Sequence, residues 1–173
     1  MRAIFIFVAL TAFTSAAILL PADFDPTQYA GKWYEQARSK NTFFEMGEEV
    51  ASCYEVNNAG GFSIDQSSVL PDGRTSYSRA QADPIGDVPG HFSFFYPDSW
   101  YSRKFPADYR VVSTDYSNYA IILSLNMFLH MEFKFAWIMT RQEKIDEDTL
   151  DQLFDELART TGFLKYQMHR TIQ

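Results

Sequence analysis

The sequence contains very little cysteine: Cys53 is the only one in 173 residues. A secreted domain of this size commonly carries disulfides, and this chain cannot form one within itself. It therefore relies on its hydrophobic core, or Cys53 pairs with a second chain, or the thiol stays free.

Basic residues are also in short supply. The chain has 15 Lys and Arg against 22 Asp and Glu, which gives a formal net charge of −7. Nucleic acids and anionic membrane surfaces are recognised by clustered positive charge. The charge balance therefore argues against both classes of partner.

Long apolar runs are missing except at the N-terminus. There, Arg2 precedes the apolar run Ala3–Leu10, and small residues follow as far as Ala17. This order is typical of a secretory signal, which we place at residues 1–17, with cleavage after Ala16 or Ala17. The alternative is an uncleaved membrane anchor, but polar residues interrupt the run and no stop-transfer charges follow. Residues 18–173 are then expected to form one secreted domain.

The sequence does contain a regular series of short strand patterns separated by turn residues. Apolar and polar residues alternate in Phe62–Asp65, and the Pro71–Gly73 segment is a typical turn. Eight strands are predicted, at residues 32–38, 49–57, 62–70, 75–82, 91–96, 109–114, 119–124 and 133–140. We therefore predict an all-β fold, an eight-stranded antiparallel up-and-down barrel just wide enough to hold one small ligand.

After the strands the apolar period changes to that of a helix. Leu150, Leu153, Phe154 and Leu157 are spaced to form one apolar stripe, so the helix should pack on the outside of the barrel. Asp146 or Asp148 can cap its first turn, and Gly162 stands where a helix ends. Residues 163–172 are predicted to form a short strand or an extended tail.

Three motifs then appear in order along the chain. They are Gly31-Lys32-Trp33-Tyr34-Glu35, Thr114-Asp115-Tyr116 and the single Arg141 just past the last predicted strand. Together with the terminal helix, this pattern resembles the lipocalin family over nearly all of residues 18–173. The resemblance implies that Trp33 plugs the closed end of the barrel and that Arg141 packs over its ring, a contact that guanidinium groups favour.

The resemblance is particularly to the branch of the family that includes apolipoprotein D, lazarillo and the crustacyanins. The segments that carry it are Thr114–Ala120 and Phe135–Ile138. Those relatives usually carry two disulfides, whereas here the expected positions before Gly31, near Gly47 and after Ser124 hold no cysteine. This departure predicts a looser tail or a more open barrel mouth.

The resemblance, together with the strand parity, also predicts the ligand site. Aromatic side chains make up 17% of the residues, and six of them are expected to line or cover the cavity: Trp137, Tyr54, Phe92, Phe94, Phe135 and Phe44. The expected ligand is a small hydrophobic molecule such as a fatty acid, sterol, retinoid, carotenoid or bilin. No inward cluster of Lys or Arg is evident, which slightly favours a neutral ligand. Glu35 is expected to point inward and to need a partner. No cofactor and no metal site are predicted.

An enzyme is the first alternative to a non-catalytic carrier. Prostaglandin D synthase, a lipocalin, uses a cysteine thiol on its second strand, and Cys53 is about one residue from that register. However, an inward Tyr54 turns its neighbour Cys53 outward. The three histidines (His91, His130 and His169) are scattered along the chain, so none is placed to activate the thiol.

A subunit of a pigment or receptor complex is the second alternative. Trp100, Tyr101 and Phe105 lie in a loop and are expected to form an exposed aromatic patch. Such a patch at the barrel mouth would contact a membrane or lipoprotein surface, a receptor or a second copy of the chain.

Overall fold

The computed structural model describes residues 20–42, 45–128 and 131–173. Within these residues the chain forms an antiparallel β-barrel of eight strands and one added short strand. The strands are β1 (Gly31–Ser39), β2 (Glu48–Val56), β3 (Phe62–Val69), β4 (Thr75–Pro84), β5 (His91–Phe95), β6 (Ala107–Thr114), β7 (Tyr119–Phe128), β8 (Met131–Thr140) and β9 (Met168–Arg170). The predicted barrel and all eight predicted strands are confirmed.

Among the described residues, four helical segments accompany the barrel. They are α1 (Pro26–Tyr29), α2 (Trp100–Lys104), α3 (Glu147–Thr161) and one turn of 3-10 helix at Lys165–Gln167. No helix in the described part of the chain is long and apolar enough to cross a membrane. The predicted signal peptide at residues 1–17 lies outside the described residues.

Strand β1 closes the barrel because it pairs on both of its edges. Its first half pairs with β2, where Gly31 lies opposite Tyr54, and its other edge pairs with β8, where Tyr34 lies opposite Thr140. A bulge between Glu35 and Ala37 shifts the register with β8. Bulges bend a strand and increase its twist. Beyond the bulge, the second half of β1 takes β9 as its neighbour in place of β2.

The closed end of the barrel is filled by aromatic rings. Trp33 and Tyr29 are fully buried with ring centroids 5.1 Å apart, and Phe62 packs 5.4 Å from Tyr29. Phe24, just before α1, adds a fourth ring 5.2 Å from Tyr29. Buried aromatic rings contribute large apolar areas, so this cluster forms one of the two cores of the domain.

Helix α3 packs against the outside of the barrel, as its apolar spacing predicts. Leu150, Leu153, Phe154 and Leu157 are all buried against outward side chains of β6, β7 and β8. The Asp146 side chain accepts a hydrogen bond from the Thr149 amide and so caps the first turn. Gly162 ends the helix with a φ of 80°, a left-handed conformation that glycine adopts without strain.

Hydrogen bonds, and no disulfide, hold the C-terminal segment. After β9, the Thr171 amide donates to the Gln36 carbonyl, and the Gln173 amide side chain donates to the carbonyls of Glu35 and Val50. The Ile172 carbonyl accepts from the Glu49 amide. Backbone and side-chain hydrogen bonds therefore tie the tail to β1 and β2 in place of the missing disulfides.

Candidate functional site

The barrel encloses a cavity of about 240 Å³ between the closed-end aromatic cluster and the open mouth. Its walls are largely aromatic: Tyr54, Phe94, Tyr96, Tyr109, Phe135 and Trp137. These side chains come from inward positions of β2, β5, β6 and β8, and Tyr96 is the residue just after β5. Small-molecule sites are typically apolar concavities with a few placed polar groups, and this cavity has that character.

Four of the six predicted ligand-site residues line the cavity. Tyr54 lies on β2 and Phe94 on β5, and Phe135 and Trp137 lie on β8 with their ring centroids 6.3 Å apart. The fifth, Phe44, lies outside the described residues.

Phe92 is inside the barrel but does not line the cavity. It is 2% exposed, and its ring centroid lies 5.3 Å from Phe62 and 5.8 Å from Phe24. The alternation along β5 gives the correct face, but Phe92 sits one inward position nearer the closed end than Phe94. The predicted place of Phe92 in the cavity lining is therefore corrected: it is part of the closed-end cluster.

Three phenol groups meet at the inner end of the cavity, where Tyr54 and Tyr109 line it and Tyr29 lies behind them. The Tyr54 and Tyr109 hydroxyls are 2.9 Å apart, and the Tyr29 hydroxyl is 3.5 Å from that of Tyr109. Burial raises the pKa of Tyr54 to about 12 and raises the pKa values of Tyr29 and Tyr109 well above their ordinary range. The three groups therefore stay neutral and satisfy one another, and Phe94 stacks on the Tyr109 ring at 5.8 Å.

The predicted motif residues meet at the closed end. The Arg141 guanidinium lies 3.7 Å from the centroid of the Trp33 ring. It also donates hydrogen bonds of 2.9–3.1 Å to backbone carbonyls of Tyr116, Lys32, Gln28, Tyr29 and Ala30. Gly31 has a φ of 101°, and a Cβ there would lie 3.1 Å from an Arg141 nitrogen. The first motif therefore needs glycine both for its backbone angle and for room beside the guanidinium.

The middle motif builds the turn between β6 and β7. An oxygen of Asp115 accepts from the amides of Ser117, Asn118 and Tyr119, and the Thr114 hydroxyl donates to the Tyr119 carbonyl. Tyr116 has a φ of 64° within this turn, and its hydroxyl accepts from the Asp25 amide. These contacts fasten the segment before α1 to the closed end of the barrel.

A group of charged side chains lies at one side of the cavity. Glu35 points inward at 2% exposure, and its partner is Arg38, whose Nη1 lies 2.7 Å from the carboxylate. The Thr171 hydroxyl also donates to this carboxylate. Burial raises the pKa of Glu35, and the bond from Thr171 and the charge of Arg38 oppose that rise.

A second acid, Glu45, lies in the cavity wall, and no sequence pattern predicts it there. It lies in the loop between β1 and β2, where no alternation indicates which way a side chain points. Its Oε2 accepts a 2.8 Å hydrogen bond from Nε1 of Trp137. Tyr101 and Phe105, predicted as surface residues, also reach the cavity rim.

Cys53 lies on the outer face of the barrel and is exposed. It is opposite Lys32 in the β1–β2 ladder, on the face away from Tyr54. The His91 ring pairs with Asp108 at 2.7 Å, and the His169 ring pairs with Glu48 at 2.8 Å; His130 lies outside the described residues. Among the residues that the structure describes, no three His, Cys, Asp or Glu side chains are grouped to hold a metal ion.

The predicted aromatic patch at the mouth is exposed. Trp100 is 67% exposed, Tyr101 52% and Phe105 57%, and all three belong to α2 or follow it directly. The Ser99 side chain caps this short helix by accepting from the Ser102 amide.

Comparison with known proteins gives consistent results. A family model described as a lipocalin-like domain matches residues 24–173. Apolipoprotein D from Macaca fascicularis is 28% identical over 135 residues, which is 76% of this chain and 68% of that protein. The outer membrane lipoprotein Blc of Vibrio cholerae is 27% identical over 175 residues and covers 94% of both chains. Among solved structures, lobster apocrustacyanin A1 superposes with a TM-score of 0.69 at 23% identity, over 85% of this chain and 78% of that one.

Proposed function

Because the chain belongs to the lipocalin family, whose members typically bind small hydrophobic molecules, we propose that it binds and carries such a molecule in the barrel cavity. The observation that carries the proposal is the aromatic cavity itself. It is open at the mouth and walled by Tyr54, Phe94, Phe135 and Trp137.

The energetics of such a site come mainly from burial. Each 100 Å² of apolar ligand surface removed from water contributes roughly 2.5 kcal/mol. A volume of about 240 Å³ is at the small end for ligand sites. The proposed ligand is therefore slender, or it extends from the cavity past Tyr101 and Phe105 at the rim.

We propose that this function is non-catalytic. Nucleophilic catalysis needs a thiol and a base that both face the substrate. Cys53 faces away from the cavity, and His91 and His169 are each paired with a carboxylate. These positions favour a carrier over the Cys53-dependent isomerase.

We further propose that the protein is secreted. This rests on the charge, the apolar run and the small residues of positions 1–17. N-terminal sequencing of protein recovered from the medium of expressing cells tests it. A start at residue 17 or 18 supports the proposal, and retention of the whole N-terminus in the membrane fraction contradicts it.

Native mass spectrometry followed by organic extraction tests the carrier function. Protein expressed in an animal cell line should retain an apolar molecule of a few hundred daltons, roughly what an eight-stranded barrel can enclose. Trp137→Ala should lose most of that molecule, because it removes one cavity wall. Trp100→Ala is the matched control, since it removes an exposed tryptophan outside the cavity lining. Equal retention by both variants would contradict the proposed site.

A subunit role in a larger complex is the second candidate function. The exposed cluster of Trp100, Tyr101 and Phe105 at the mouth favours it, because apolar patches of this kind mark interaction surfaces. Analytical ultracentrifugation of the wild type and Trp100→Ala tests self-association. A wild-type dimer that dissociates on substitution supports the role. A monomer for both proteins argues against a homodimer.

A further inference from the structure

The charges that line the cavity are all of one sign. Among the residues that the structure describes, Glu35, Glu45 and Asp108 contribute to the lining, and no Lys or Arg does. An apolar site with acidic groups discriminates between ligands by the charge of their polar end.

Two of these three acids already have a cation. Glu35 pairs with Arg38 at 2.7 Å, and Asp108 binds Arg110 through two hydrogen bonds of 2.8 and 3.0 Å. The His91 ring adds a third contact to Asp108. Neither acid therefore needs a ligand cation.

Glu45 differs from both. Among the described residues, its carboxylate accepts one hydrogen bond, from Trp137, and has no basic side chain within 4.0 Å. It lines the cavity and is partly buried, so water cannot fully solvate it. A carboxylate held in this way is stabilised by an approaching cation and destabilised by an approaching anion.

We propose that the cavity selects apolar molecules that end in a protonated amine, with the ammonium group paired to Glu45 and the apolar body against Phe94, Phe135 and Trp137. This rests on the proposed function, since it names the ligand class of the same cavity. It also replaces the expectation of a neutral ligand.

The electrostatics around Glu45 support this assignment. Burial and, to a smaller extent, the charge of Glu35 raise its pKa to about 7, against the opposing effects of the Trp137 bond and Arg38. Tyr54 and Tyr96 also feel the charge of Glu45 from β2 and from the end of β5. An ammonium ion would offset the repulsion from Glu35, whereas a carboxylate ligand would add to it.

Three probes of equal chain length test the proposal: dodecylamine, dodecanol and dodecanoic acid. Each is titrated into delipidated protein below its micelle-forming concentration, and binding is measured by calorimetry. At about pH 8 the amine should bind at least about tenfold more tightly than the alcohol, since a charge-assisted hydrogen bond is worth roughly that factor or more. The acid should bind more weakly than the alcohol. As the pH is lowered through about 7, Glu45 takes up a proton and the advantage of the amine should disappear.

Two variants separate an ion pair at Glu45 from a general effect of negative charge. Glu45→Gln keeps an oxygen that can accept the Trp137 bond. It should remove the preference for the amine but leave the affinity for the alcohol within about twofold of wild type, because burial of apolar surface drives alcohol binding. Asp98→Asn removes one exposed charge near the mouth that does not line the cavity, and it should keep the preference.

The outcomes are distinguishable. If none of the three probes binds, the proposed carrier function itself fails. If the alcohol binds and the amine is no tighter, or if Asp98→Asn abolishes the preference as fully as Glu45→Gln does, the carrier function stands and the amine assignment is overturned.

Discussion

Replacing Arg141 with alanine should destabilise the barrel strongly, because this side chain joins several segments of the chain at the closed end. The guanidinium contacts the Trp33 ring at 3.7 Å, and it donates to five carbonyls, of which those of Tyr116, Tyr29 and Ala30 are in partly buried bonds. A hydrogen bond contributes about 1 kcal/mol net and an exposed cation–π contact about 0.5–1 kcal/mol. With water replacing the exposed bonds, we expect a loss of about 3 kcal/mol in the free energy of unfolding.

Arg141→Lys refines this test. Lysine keeps the positive charge over Trp33, but it lacks the planar fork that reaches several carbonyls at once. We expect it to recover about half of the loss, since the charge contact survives and most of the hydrogen bonds do not. Equilibrium urea unfolding, followed by far-UV circular dichroism, measures all three proteins, and equal slopes would show that the same surface is exposed in each.

Arg79→Ala is the matched control for the loss of an arginine. Arg79 pairs with Asp65 at 2.6 Å, but its side chain is 69% exposed, so its removal should leave the urea midpoint unchanged. A loss below about 1 kcal/mol for Arg141→Ala, or a lysine variant as stable as wild type, would refute the reasoning that the fork at Arg141 holds the closed end.

Three further predictions concern the mouth, the tail and the outer wall. The folded-state pKa of Glu45, about 7, is above its ordinary value of 4.5. The stability that this group contributes is therefore complete below pH 4.5 and is lost as the pH rises to about 7, by at most about 3 kcal/mol. Urea midpoints across that range should fall less in Glu45→Gln than in wild type, and parallel plots of midpoint against pH would contradict this. Thr171→Val removes a hydrogen-bond donor to buried Glu35 and should lower the free energy of unfolding by about 1–2 kcal/mol. Ile172→Ala, at a position 68% exposed, should not lower it. Equal urea midpoints for the two variants would contradict a structural role of the tail. A thiol reagent should label exposed Cys53 in the native protein nearly as fast as in protein unfolded by urea. Cys53→Ser serves as the blank. Labelling that requires urea would place the thiol inside the barrel.

The sequence predicts those parts of the molecule that depend on local periodicity. The strands and α3 follow from alternation and from an apolar stripe, and their boundaries agree with the structure to within a few residues at most ends. The Arg141–Trp33 contact follows from the family resemblance, because the two residues are more than a hundred positions apart and no local pattern connects them.

The depth of a side chain in the barrel, the loop residues and the tail cannot be predicted from local periodicity. Alternation along β5 shows that Phe92 and Phe94 share a face, but the depth of each is set by the register with neighbouring strands. Glu45 lies in a loop and α2 spans five residues, so neither belongs to a repeating pattern. The tail of residues 171–173 is held by single hydrogen bonds to β1 and β2, which no composition or period indicates.

The pairing of β1 with both β2 and β8 also has a consequence for the order of events during synthesis. The pairing partners Tyr34 and Thr140 are separated by most of the domain, so one edge of β1 has no native neighbour until β8 has left the ribosome. Chains emerge at about 5–20 residues per second, so that edge is open for roughly five to twenty seconds. An unpaired edge invites pairing with other chains. Nascent chains on one messenger RNA should therefore need a chaperone at β1. Slowing translation between β1 and β8 should lengthen the time for which the chaperone stays bound.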